Sequence, residues 1–167
     1  CIEPDYNFTT YLRGCLRTGT PQGHNFPLSC PVMEKLCCSL SNGLTHALDF
    51  YRLGKLIHYV EDAFTYPHNT HFTGNLSDHI RYEQALDLYL ASASFPALPA
   101  CSFQQDPMDC ILTWHQRYLA ASPGMETDSF YAFSAVSRLL LLFLPDQQGE
   151  PIFHFSEESA PALSYHR

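Results

Sequence analysis

Apolar positions along this chain recur at three- and four-residue spacings and never settle into strict alternation, the pattern of helices rather than strands. The clearest run is Leu44 to Phe64, where Leu44, Leu48, Tyr51, Leu56, Tyr59 and Val60 mark a wide apolar face and predict a core-facing helix. Upstream, Pro31 fits a first helical turn behind Ser29 or Cys30 and predicts a helix through Leu40, ended by Ser41-Asn42-Gly43. Pro67 ends the long helical pattern, and Asn69 to Ser77 reads as a polar loop. Ser77 or Asp78 then caps a helix reaching Leu90. Asp106-Pro107 joins a good N-cap to a first-turn proline and predicts a helix to Ala121. Beyond Pro123-Gly124, Thr127 or Asp128 opens a last helix that Pro145 closes. The first thirty residues read as irregular with room for one short turn of helix, and 146–167 as a surface-wrapping or mobile tail. The expectation is an all-α fold of roughly five helices, in a single domain over 1–167.

Composition narrows what such a domain can do. With 167 residues, 46% of them hydrophobic, the chain is long enough for one sizeable core and too apolar for a disordered one. Its longest apolar run, Leu139 to Leu144, falls far short of the ~20 residues that span a bilayer. Nine Lys and Arg against 17 Asp and Glu give a net charge of −8, which excludes a general basic grip on nucleic-acid phosphates. If this protein handles phosphate, something other than Lys and Arg supplies the positive charge. The seven cysteines are odd in number, include the vicinal pair Cys37-Cys38 and contain no Cys-x-x-Cys. They read as small buried side chains in a reducing compartment rather than a disulfide or zinc framework. The chain starts at Cys1 with no apolar leader, so upstream sequence is expected to be missing. A cytoplasmic location is favoured, with export the alternative if the N-terminus is processed.

Candidate chemistry concentrates in one stretch. His58, Asp62, His68, His79 and Glu83 fall within 26 residues. His58 and Asp62 are four apart on one predicted helix, and His79 and Glu83 repeat that spacing on the next, so each pair projects from one face. His68 follows Pro67 in the connection. Imidazoles and carboxylates from two packed helices and their link are a way to build a metal cluster in a bundle. The N and O donors make zinc the first choice, with manganese or iron not excluded by ligand type. A single His-x3-Asp pair would read as a solvated ion pair; a chance match to the whole set arises in about one chain in a thousand of this composition.

These residues resemble a family. Gly54-Lys55-Leu56-Ile57-His58-Tyr59-Val60-Glu61-Asp62-Ala63-Phe64-Thr65-Tyr66-Pro67-His68 is similar to the helix-and-turn signature of bacterial zinc-dependent phospholipase C, and His79 with Glu83 to its next ligand pair. Single-strand-specific zinc nucleases share the fold and a close version of the signature. Asp5 in Glu3-Pro4-Asp5-Tyr6 and His24 in Gly23-His24-Asn25-Phe26-Pro27 match two further family ligands, and the resemblance runs from Cys1 to Leu90. It implies two zinc ions sharing Asp62, with Asp5, His24 and His58 completing one site and His68, His79 and Glu83 the other. It also implies Asp5 as the catalytic general base. The family's third zinc uses an N-terminal amine and an early His on a helix preceding the Asp, and that helix has no counterpart ahead of Asp5 in this sequence.

The resemblance thus implies a phosphodiester hydrolase acting on a phosphate ester, with a phospholipid at a membrane surface the leading substrate. Zinc would answer the charge problem. Two other readings stay open: a single-strand nuclease or nucleotidase, and a non-catalytic domain stabilised by metal. Of the remaining residues, Glu61 reads as solvated, His46 and Asp49 as partly exposed, and His71 as a polar loop residue. His115 reads as structural, while Phe64, Tyr66 and Phe72 fit either the core or a substrate entrance.

Overall fold

A computed structural model of the protein describes residues 10–11, 13–14, 25–93 and 106–144. Among them are five α-helices and no strand: α1 Phe26–Leu40, α2 Ala47–Ala63, α3 Leu76–Ser92, α4 Pro107–Ala120 and α5 Met125–Phe143, with a 3-10 turn at Tyr66–His68. The fold is all-α. No helix among the described residues is long and apolar enough to cross a membrane. Residues 145–167, and with them the expected tail, lie outside the described residues, as do Asp5 and His24.

Helix starts follow side-chain caps more closely than prolines. Helix α1 begins five residues before Pro31 because the Asn25 side chain accepts from the Leu28 amide and Pro27 occupies the first turn. Pro31 lies inside, where it forgoes one intrahelical bond. Helix α2 starts at Ala47 rather than Leu44, because Asp49 folds back to accept from the amides of Thr45 (3.1 Å) and His46 (2.9 Å). Asp49 is therefore a buried cap, not a partly exposed residue, and although burial opposes it, those amides and Arg52 hold its carboxyl below the usual range. In α3 the cap is Asn75, and Asp78 closes the reciprocal bond to the Asn75 amide. Asp106 caps α4 as the sequence leads one to expect, accepting from Met108 at 2.8 Å and Asp109 at 3.2 Å.

Helix α2 is central. Leu53, Leu56, Ile57, Tyr59, Val60 and Ala63 are buried along it, against Met33, Cys37 and Leu40 of α1 and Ala135, Leu139 and Phe143 of α5. Leu48, counted above on the core face, is 54% exposed in the first turn of the helix. Phe64 is fully buried, packing on His115, Tyr118 and Tyr131, which settles its role as core. Gly14 lies directly against the backbone of Tyr51 and Lys55, a close approach that leaves no space for a Cβ. Helix α5 also packs on α4 and on α3. Helix α3 is the thinly anchored element, with Leu86 its one buried side chain and Leu88 72% exposed. Among the described residues Cys30, Cys37, Cys38 and Cys110 are free; Cys37 and Cys110 are buried, and burial pushes the Cys37 thiol up to about 12.

Candidate metal centre

The chain has to leave α2 sharply if His68 is to turn back over it. At the helix end the Thr65 hydroxyl donates to the carbonyls of Glu61 (2.8 Å) and Asp62 (3.1 Å). The Asn69 amide donates to Ala63 (3.1 Å) and Thr65 (2.8 Å), so the carbonyls that the ending helix releases are taken up locally. With its NH2 committed to those carbonyls, Asn69 leaves its Oδ1 to accept from His115 Nε2 at 2.8 Å. The buried His115 ring also stacks on Phe26 at 3.5 Å. His115 is structural, and burial lowers its pKa to about 4, helped by His71 and opposed by the Ala63 carbonyl.

This turn points the His68 ring between α2 and α3. His58 Nε2 lies 3.2 Å from Asp62 Oδ2, and His68 Nε2 lies 3.6 Å from Asp62 Oδ1. From the other side, Glu83 Oε1 is 3.2 Å from His68 Nε2 and 2.9 Å from His79 Nε2. The structure thus brings His58, Asp62, His68, His79 and Glu83 to one place, with His68 at the junction. His68 is 5% exposed while the others are half-buried. Ligand atoms of His68, His79 and Glu83 lie within 4.8 Å of one another. Two imidazole nitrogens and a carboxylate oxygen fit zinc, which takes such donors in tetrahedral sites.

Asp62 and Glu83 of the cluster also line a cleft of about 440 Å³, together with the acidic Glu61 and Asp87 and the apolar Leu86, Leu90, Ala132, Phe133 and Val136. Glu61 lines the cleft and is exposed. The surrounding protein raises its carboxyl to about 7, with burial the main cause, His58 opposing and Asp62 adding. Its exposure agrees with the helical projection. His71 is exposed, as expected, against the Tyr66 ring.

Comparison with known families bears on the same stretch. Residues 1–126 match the family described as zinc-dependent phospholipase C. The chain belongs to that family. No curated protein and no solved structure matches it. In this zinc-dependent phospholipase C family member the matched span takes in α1 to α4 and the start of α5, and so all five convergent residues. The family's zinc is consistent with the donors found at His68, His79 and Glu83.

One group escaped the reading of the sequence. Asp128, expected to open the last helix, sits one turn inside α5, is 1% exposed and accepts hydrogen bonds from the Tyr66 amide (2.8 Å), Tyr82 hydroxyl (2.7 Å) and Tyr118 hydroxyl (2.9 Å). Burial pushes its carboxyl up against the pull of those donors, and the tyrosine hydroxyls are raised in turn. Aspartate in a first helical turn is ordinary, so local sequence carried no sign of three partners from other elements.

Proposed function

We propose that this protein is a zinc-dependent phosphodiester hydrolase of the phospholipase C type, acting on a phospholipid or related phosphate ester. The observation that carries the reading is the convergence of His58, Asp62, His68, His79 and Glu83 beside a cleft that Asp62 and Glu83 line, in a chain of this family. In this reading His68, His79 and Glu83 hold one zinc, and His58 with Asp5 and His24 holds another. Asp62 serves both, since its two oxygens face His58 and His68 separately. Bound zinc supplies the positive charge that an acidic protein otherwise lacks for gripping a phosphate and activating water.

The chain's own groups do the rest. Asp5 takes the proton of the attacking water as general base. Leu86, Leu90, Ala132, Phe133 and Val136 give the cleft an apolar lining suited to a lipid's apolar portion. That lining contains no Lys or Arg and a single aromatic ring, which favours a lipid ester over single-stranded nucleic acid, whose binders combine cationic grooves with stacking rings.

Hydrolysis of a chromogenic phosphodiester and of a phosphocholine ester tests the proposal. Activity should vanish on chelation and return with zinc, and Asp62→Asn should lose metal and activity together. Micellar substrate should be cleaved faster than monomeric, and single-stranded DNA left intact. Undiminished hydrolysis by the metal-free protein would overturn the reading; zinc uptake that governs melting without any hydrolysis would leave a metal-stabilised domain in its place.

A further inference from the structure

Two of the clustered ligand-type residues, His79 and Glu83, ride on α3, while His68 comes from the turn after α2. Yet α3 packs chiefly on α5, and buries little of its own surface. Besides the direct contacts of His68 with His79 and Glu83, a third element ties the His68 turn to α3. Asp128 of α5 stands at that junction. Its Oδ2 accepts at once from the Tyr66 amide, which opens the Tyr66–His68 turn, and from the hydroxyl of Tyr82, the neighbour of Glu83 and one turn beyond His79. Its Oδ1 accepts from Tyr118 of α4, which carries none of these ligands.

The geometry points to Asp128 as a positioning residue: by fastening the Tyr66 amide and the Tyr82 hydroxyl to one buried oxygen, it holds the His68 turn and α3 in the relation that brings His68, His79 and Glu83 together. A buried carboxylate with three donors is a stiff fixture, because any donor that leaves it becomes an unpaired buried group. The bond from Tyr118 shares that stiffness but lies off the line joining the ligands. The inference rests on the proposed zinc site for its consequence, not for its geometry.

The tyrosines separate positioning from stability. Tyr82→Phe and Tyr118→Phe each remove one hydroxyl from the same aspartate, and each should lower the melting temperature. Zinc affinity, read by competition titration against a chromophoric chelator, should fall about tenfold or more in Tyr82→Phe, the scale on which supporting residues act at metal sites. In Tyr118→Phe it should stay within about threefold of the parent, below that scale. Asp128→Asn, which keeps an oxygen for Tyr66 and Tyr82 and can offer its NH2 to the Tyr118 oxygen, should bind zinc nearly as well as the parent, whereas Asp128→Leu should not. Equal loss of affinity in the two tyrosine variants, or parental affinity in a folded Asp128→Leu protein, would overturn the inference. A second readout needs no metal: in chelated protein the rings of His68 and His79, whose centroids are 4.6 Å apart, should show a proton–proton contact by NMR that Tyr118→Phe keeps and Tyr82→Phe weakens. If the parent takes up no zinc, the metal reading fails while this contact still decides the positioning claim.

Discussion

His115, bonded to Asn69 beside the His68 turn, is held neutral by burial, with a pKa of about 4 in the fold against 6.5 when free. Because the unfolded chain binds a proton there that the folded chain resists, its contribution is complete above pH 6.5 and is lost as pH falls toward about 4. Urea unfolding of the chelated protein across this window should therefore show stability falling with acid more steeply in the parent than in His115→Gln; parallel curves would contradict the assignment. Gly14 makes a different demand. A Cβ there would strike the carbonyl oxygen of Tyr51, and a helix backbone cannot swing aside as a side chain can. Gly14→Ala should cost about 1–3 kcal/mol, the usual range for overpacking, measured by chemical denaturation. Both residues are unremarkable in the sequence, where His115 shows only a neighbouring tryptophan and Gly14 only a glycine in an irregular stretch.

Among the elements, α4 was the most legible because its signal is wholly local: Asp106 caps and Pro107 starts. Asp106→Ala should destabilise by about 1 kcal/mol, as cap removals do, with helix loss visible first in the amide exchange of Met108 and Asp109. Helix α1 was misplaced at its start because Pro31 resembles a first-turn proline, while the cap that decides the matter, Asn25, lies in a segment that reads as irregular. The shift of α2 from Leu44 to Ala47 has the same origin, a side chain reaching back to the amides before the helix. In α3 the exposed Leu76, Ile80, Leu88 and Leu90 show that apolar spacing identifies a helix without saying how deeply it is packed.

Taken as a whole, the described helices form a core around α2 with the ligand-type cluster at its edge, where the last turn of α2 faces α3. A metal binding there ties together elements that otherwise share little packing. Zinc should accordingly raise the melting temperature in a concentration-dependent way, by an amount equivalent to about 2.7 kcal/mol at a hundredfold excess over Kd. His68→Ala should abolish the rise, because His68 joins the Asp62 and Glu83 sides of the cluster. Scanning calorimetry with and without chelator checks this, and a melting temperature indifferent to zinc would count against a metal centre.

The sequence by itself determined that the chain is helical, roughly where the helices lie and which imidazoles and carboxylates share a helix face, since periodicity, caps and four-residue spacings are properties of neighbours along the chain. It also carried the family resemblance through the stretch from Gly54 to His68. Tertiary structure alone decided that Asn69 would meet His115 and that Asp128 would gather Tyr66, Tyr82 and Tyr118. Those partners lie 10 to 62 residues apart. Their hydrogen bonds are worth making only after packing has excluded water, a condition that no local pattern of residues can express.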